Sequence, residues 1–307
     1  MQPSTVEHVA VIGAGLMGTG IAQVFAMAGY PVALHDSSAQ ILEHAIPAIE
    51  ANLRLLAGVG AIPAAGIPSI VQRVMPCAGL REAVGRADLV IESVREDLAL
   101  KLEVFGQLAA HSQQHALLCT NSSSIMPSQL APATQRPENV AGLHFFNPAA
   151  LAPLVEVIPG DATSPQVTET LLGVLRKAGK RPVVLHKQVP GFLANRLQAA
   201  LVREAVSLVD RGVASPEEID EVIRYGLSQL WSAAGIFELL DLAGLDSALA
   251  ASSLILPDLD SSTEAASLQE RVARGQLGAK TGCGFLSWTP DRVLEVKKRV
   301  AGALMRG

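Results

Sequence analysis

The sequence predicts an α/β chain in which a mostly parallel, doubly wound sheet is followed by an all-α second domain. Three observations carry that expectation. Short β-branched runs alternate with helical patterns through the first 188 residues, the pattern of strands joined by crossover helices. The alternation stops at "KQVPGF", after which only helical spacing continues. The chain has 307 residues, 49% hydrophobic and only 17% charged, enough apolar material for two separate cores. The expected boundary is therefore near Val189–Pro190, dividing residues 1–188 from 189–307.

Each element has its own local reason. "HVAVIG" reads as a buried strand, and "LMGTGIAQVFAMAG" as a helix stopped by a glycine. "PVALHD" is the next strand, and "ILEHAIPAIEANLRLL" has apolar residues at helical spacing. "ADLVIESV" and "ALLCTNSS" are strands separated by the helical "DLALKLEVFGQLAAH". "VAGLHFF", "LVEVIPG" and "RPVVLHK" supply three further extended segments. Beyond the boundary, "LANRLQAALVREAVSLVDRGVA" is helical up to its glycine. "SPEEIDEVIRYGL" opens with a serine cap, a proline at the first helical position and early acids, which together make a strong helix start. "FELLDLAGLDSALAASSLI" and "TEAASLQERVARGQLG" are helical as well, and no internal repeat interrupts the series.

Composition narrows the function classes. A formal net charge of −5 provides no bulk attraction to nucleic acid or to an anionic membrane, and the basic "VKKRV" near the end reads as a solvated helix face. "MQPSTVEH" lacks the basic and apolar regions of a secretory signal. The uncharged run Leu55–Val71 is broken by Pro63, Pro68, Gly58, Gly60 and Gly66, so it reads as a broken helix and loop, with no membrane span expected. Cys77, Cys119 and Cys283 are far apart and lack metal-ligand spacing, so reduced thiols, a cytoplasmic setting and no metal site are expected.

"VIGAGLMGTG" places Gly13, Gly15 and Gly18 in a G-x-G-x-x-G turn between a strand and a helix, with Leu16 and Met17 inside it. Glycines there allow backbone to approach a diphosphate, whose charge the helix N-terminus favours. Asp36 ends the following strand, where an acid binds ribose hydroxyls. A Rossmann-type dinucleotide site follows from that context. Asp36 would repel a 2′-phosphate, so NAD is expected over NADP. A dinucleotide site alone leaves the reaction open.

Oxidising a secondary alcohol with NAD needs a base for the hydroxyl proton. A histidine whose other nitrogen faces a carboxylate meets that need. Polar groups stand near the expected C-terminal ends of strands in "TNSSS" (120–124), "HFFNP" (144–148) and "LVEV", with Asn195 in "GFLANRL" at the start of the helical part. Taken singly, each also has an ordinary structural reading. His144 beside two phenylalanines can be a core histidine, "TNSSS" a capped turn and Asn195 a surface residue. Glu156 is the anomaly, since a carboxylate in an apolar strand is costly without a partner.

In combination, the turn, "TNSSS", "HFFNP", "LVEV", "PGFLANR" and "GAKTGCGF" strongly resemble the 3-hydroxyacyl-CoA dehydrogenase family across nearly the whole chain. That family includes 3-hydroxybutyryl-CoA dehydrogenases and the related lambda-crystallin, an L-gulonate 3-dehydrogenase. The resemblance implies His144 as catalytic base, Glu156 as its carboxylate partner, and Ser123 bonding the substrate oxygen and the nicotinamide side. It implies Asn195 holding the reacting carbonyl, Asn147 contacting ligand, Glu96 and Lys101 around the cofactor, and Lys280 of "AKTG" as a further cofactor contact. A small-molecule 3-hydroxyacyl substrate and a homodimer are implied too.

Two departures bear on the substrate. CoA-using members carry lysines on the helix after the second strand, whereas "EANLRLLAGVGAIPAAG" has Arg54 followed by Leu55, Leu56, Ala57, Gly58 and Val59. Many relatives have Gly-Pro where this chain has Gly235-Ile236. The expected activity is oxidation of an (S)-3-hydroxyacyl group, carried as a CoA thioester, to its 3-oxo form. The alternatives are a free 3-hydroxy acid as substrate, or a non-enzymatic, NADH-binding protein of the crystallin kind.

Overall fold

A computed structural model of the chain describes residues 6–58 and 60–304. Residues 1–5, which open the stretch read for a secretory signal, and Val59 of the cation-poor segment lie outside them. Among the described residues, those up to 195 together with 301–304 form one compact unit and residues 196–300 a second, so the division falls at 195/196.

The first unit is built on an eight-stranded sheet. Its strands are β1 (Val9–Ile12), β2 (Val32–His35), β3 (Val74–Cys77), β4 (Leu89–Glu92), β5 (Leu117–Thr120), β6 (Val140–Phe145), β7 (Leu154–Pro159) and β8 (Arg181–Val184). Their spatial order is β3-β2-β1-β4-β5-β6-β7-β8. Every pairing is parallel except β6 with β7. Strand order reverses between β1 and β4, which creates the crevice at their C-terminal ends where open α/β sheets bind ligands. Helices α1 (Leu16–Met27), α2 (Ala39–Gly58), α3 (Ile67–Val71), α4 (Leu80–Val84), α5 (Leu98–His111), α6 (Pro127–Leu130) and α7 (Pro165–Lys177) connect the strands.

The period-two alternation of strand side chains explains two cores from one sheet. Val9, Val11, Leu34, Leu89 and Ile91 point to one face and pack with Ile21, Phe25, Ile49, Leu53 and Leu171. Ala10, Ile12, Val90 and Leu118 point to the other and pack with Val84, Phe105 and Leu108. Both edge strands carry a proline, Pro76 in β3 and Pro182 in β8, where a missing N–H costs least and pairing with another chain is blocked.

The second unit is helical: α8 (Ala194–Asp210, beginning in the first unit), α9 (Pro216–Glu221), α10 (Ser228–Ala233), α11 (Ile236–Ala243), α12 (Leu245–Ile255), α13 (Ala266–Ala273) and α14 (Pro290–Leu304, its last turn counted with the first unit). The start of α9 is a reciprocal cap: Glu218 N donates to Ser215 Oγ at 3.2 Å, and Ser215 N donates to Glu218 Oε2 at 2.8 Å. "SPEEIDEVIRYGL" is not one uniform helix, since Val222–Leu227 winds as a π-helix. No single helix among the described residues is long and apolar enough to cross a membrane. Ile236–Ala243 and Leu245–Asp258 reach that length only together, across a 107° bend.

Candidate active site

Between β1 and α1 three residues reverse the chain. Gly13 has φ 102°, and a Cβ there would meet the Ser93 carbonyl oxygen at 2.5 Å, so only glycine fits the turn. A Cβ on Gly18 would stand 1.7 Å from the Gly13 carbonyl oxygen. Gly15 is different, because nothing lies within 4 Å of its absent Cβ. It caps α1 without a side-chain bond, leaving the first helical N–H groups for an anion. At the end of β2, Asp36 Oδ2 accepts from Ala14 N at 2.8 Å and Oδ1 from Ser38 N at 2.9 Å. Each oxygen keeps acceptor capacity for a hydroxyl. An open glycine face at a helix N-terminus, with an acid one strand away, fits the diphosphate and ribose of a dinucleotide.

Beside this turn is a cavity of about 490 Å³ lined by Gly15, Leu16, Met17, Ser93, Arg95, Glu96, Lys101, Asn121 and Ser123, among others. Leu16 is 75% exposed, an apolar side chain that the protein leaves uncovered at the cavity mouth. The wall is a chain of charge. Glu92 is fully buried at the end of β4 and Lys101 nearly so on α5, with Nζ donating to Glu92 Oε1 at 2.6 Å and to the Val94 carbonyl at 3.2 Å. Thr120 Oγ1 and Val94 N also donate to Glu92, at 2.8 and 2.7 Å. Lys101 faces Glu96 at 3.4 Å, and Glu96 accepts from the Ser122 hydroxyl and from Ser124 Oγ and N. Partial burial pushes the Glu96 carboxyl upward, but the serine hydroxyls, the Lys101 charge and the Ser124 amide outweigh it and hold it at about 2. The carboxylate thus ties down both flanks of Ser123.

Ser123 reaches the other half of the site. β6 and β7 pair antiparallel with His144 directly opposite Glu156, a register that sets both side chains on one face of the sheet. The eight-residue connection 146–153 makes that pairing, so the twelve-residue separation in sequence closes to one hydrogen bond in space. Nδ1 of His144 lies 2.7 Å from Glu156 Oε2 and Nε2 lies 3.0 Å from Ser123 Oγ. Burial works against the Glu156 charge, but the His144 hydrogen bond, the amides of Ala194 and Leu193 and the His144 charge together lower its carboxyl below the ordinary range. An ionised carboxylate can only accept, so Nδ1 carries a hydrogen, and in the neutral imidazole that leaves the Nε2 lone pair facing Ser123. Phe146 and Phe192 flank the imidazole, at centroid distances of 4.6 and 5.4 Å.

The first unit thus brings together Ser123, His144 and Glu156 by direct bonds, and Gly13, Gly15, Leu16, Met17, Gly18, Asp36, Glu96 and Lys101 around the turn and its cavity. Asn195 follows Ala194, whose amide is on Glu156. Asn147 stands exposed beyond His144, before a cis bond to Pro148. Lys280 belongs to the second unit, on an exposed turn between Gly278 and Gly282. Sequence reasoning passed over Glu92 and Phe192, and it gave Thr120 of "TNSSS" no role, although its hydroxyl donates to Glu92. Glu92 ends its strand, as acids commonly do, whereas Glu156 interrupts an apolar strand, so no comparable signal marked Glu92. Among the described residues no group of three or more His, Cys, Asp or Glu is placed to hold a metal ion.

Residues 8–189 match the NAD binding domain of 3-hydroxyacyl-CoA dehydrogenase, and residues 191–288 match that enzyme's C-terminal domain. The chain is 34% identical over 302 residues to 5-formyl-3-hydroxy-2-methylpyridine 4-carboxylate 5-dehydrogenase of Mesorhizobium japonicum, covering 98% of this chain and 96% of the relative. It is 37% identical over 295 residues to the mitochondrial hydroxyacyl-coenzyme A dehydrogenase of Sus scrofa, covering 92% and 91%. A crystal structure of a 5-formyl-3-hydroxy-2-methylpyridine 4-carboxylic acid 5-dehydrogenase, described as an NAD⁺-dependent dismutase, superposes with a TM-score of 0.90 at 33% identity, covering 98% of this chain and 97% of that one.

Proposed function

The chain belongs to the 3-hydroxyacyl-CoA dehydrogenase family, with NAD as its cofactor, and from that premise we propose that it oxidises the hydroxyl of an (S)-3-hydroxyacyl group to the 3-oxo form with His144 as base. The observation that carries this reading is the Ser123–His144–Glu156 chain of hydrogen bonds. Bound NAD supplies the hydride acceptor. Nε2 of His144 takes the hydroxyl proton, in the position now bonded to Ser123, and Glu156 stabilises the imidazolium that results. Ser123 stays hydrogen-bonded to the reacting oxygen, and Asn195 supplies a further donor to it. Glu96 and Lys101 fix the serine loop and border the cofactor, Asn147 borders the ligand, and family resemblance assigns Lys280 a cofactor contact.

A CoA thioester is the substrate form that family membership supports. A second reading, a free hydroxy acid, is favoured by the surface of α2. A cavity of about 380 Å³ between α1 and α2 is lined by residues such as Leu16, Thr19, Gln40, Ile41, His44 and Asn52, with no lysine or arginine. Arg54, the nearby cation, is already paired with Glu50 at 2.6 Å, so a phosphate would find no dedicated donor there. The Mesorhizobium relative is named for a free pyridine carboxylate. Following NADH absorbance with acetoacetyl-CoA, 3-hydroxybutyrate and L-gulonate separates the two. Turnover only of free acids removes the thioester reading, turnover only of the CoA ester removes the second, and turnover of none removes both.

The working form is a homodimer. No described residue from 193 to 304 is buried, and Phe237, Leu242 and Leu254 are each at least 80% exposed. Amphipathic helices with this much uncovered apolar surface require a partner, and a second copy supplies it. The free thiols Cys77, Cys119 and Cys283 suit a cytoplasmic setting.

A further inference from the structure

Phe192 lies in a turn that the proposed chemistry leaves unassigned. Gly191 and Phe192 both have positive φ, 76° and 52°. Glycine adopts that region freely, but a bulky residue there is an outlier that its surroundings must hold in place. Two things hold it. The ring is fully buried, packed with Ile158 and Leu185 and set against the His144 imidazole at 5.4 Å and 57°. The backbone is closed by Phe192 N donating to the Val189 carbonyl at 3.0 Å. The left-handed turn then aims the next two amides at one atom: Leu193 N and Ala194 N donate to Glu156 Oε1 at 2.8 and 2.9 Å. With Oε1 committed to the backbone, Oε2 is the oxygen presented to His144 Nδ1.

We infer that Phe192 is a positioning residue for the His144–Glu156 pair. Its strained backbone fixes the carboxylate from one side while its ring buttresses the imidazole from the other. This assignment rests on His144 acting as the base. Residue 192 therefore acts through the His144–Glu156 pair on the rate of proton transfer, and it lines neither cavity beside the dinucleotide turn.

The test uses the full chain with whichever of acetoacetyl-CoA, 3-hydroxybutyrate or L-gulonate it turns over. Phe192→Leu should lower kcat by about tenfold or more, as expected for a displaced catalytic group, with KM and the NADH Kd within about twofold of wild type. In a Glu156→Gln background the same substitution should cost almost nothing further, because the two act through one contact. Independently of turnover, proton NMR should find the downfield His144 Nδ1–H resonance in the wild type, identified by its absence in His144→Gln, and should find it broadened or lost in Phe192→Leu. Phe192→Met, whose flexible side chain adapts to irregular core gaps, carries the same expectations if the leucine variant fails to fold. Unchanged kcat, parallel changes in kcat and KM, or full additivity with Glu156→Gln would reduce Phe192 to core packing. The outcomes are separable: if His144→Ala keeps its turnover, the base assignment fails, whereas a dead His144→Ala beside a fully active Phe192→Leu removes only the inference about Phe192.

Discussion

Glu156 is buried to 1% exposure inside an otherwise apolar strand, and it survives there because three donors surround it. An ionised carboxylate so placed acts most strongly when its neighbour becomes a cation. Glu156→Gln should therefore lower kcat by about 10²-fold, within the range of acid–base catalysis, and leave KM nearly unchanged. An equal loss in binding would make it a ligand contact. Glu96 gives a pH dependence with a defined sign. Its carboxyl sits at about 2 in the folded chain against an ordinary 4.5, so the unfolded chain binds the proton first as pH falls. The stability that Glu96 contributes is present above pH 4.5 and is lost on descending from 4.5 towards 2. Melting temperatures of Glu96→Gln should therefore fall less steeply than those of wild type across that window. At this scale the sequence was informative where a residue broke its local pattern. Glu156 in "LVEV" and Gly13 between strand and helix were legible for that reason. The Glu92–Lys101 pair was not, because a strand-end acid and a helix lysine look ordinary until β4 and α5 are packed together.

Among elements, the turn from β1 into α1 is the most constrained, because two of its glycines, Gly13 and Gly18, are fixed by backbone approach. Gly18→Ala drives a Cβ into the Gly13 carbonyl, so NADH affinity should fall by at least about tenfold, given that one misplaced backbone group at a preorganised site costs on the order of 1–3 kcal/mol. Fluorescence titration measures it, and wild-type affinity would mean the turn is not the cofactor cradle. The strands with continuous apolar runs were legible from sequence. β3 was not: "VMPC" is a four-residue edge strand with Met75 and Pro76 exposed, so neither alternation nor hydrophobicity marks it. The helical reading of "SPEEIDEVIRYGL" located its start through Ser215 and Pro216 but could not show the switch to π winding at Val222, which no cap residue announces.

For the whole molecule, the sheet and its order account for the site. Parallel strands β1 and β4 open the crevice, and the single antiparallel pairing of β6 with β7 sets His144 opposite Glu156. The alternation of strands and helices predicted a mostly parallel sheet, but the one antiparallel pairing and its register are long-range properties that it does not encode. The helical unit has the reverse character: its helices were legible, while its lack of any buried residue became visible only in three dimensions. Sedimentation velocity should find a dimer, and charged substitutions at Phe237 and Leu242 should yield monomer if those faces are the ones covered. A wild-type monomer at micromolar concentration would contradict that part of the account. The central claim is that His144 removes the substrate proton. With the substrate identified by NADH absorbance, His144→Ala should lose at least about 10²-fold in kcat while its NADH Kd stays within about twofold of wild type; turnover within a few-fold of wild type would contradict it.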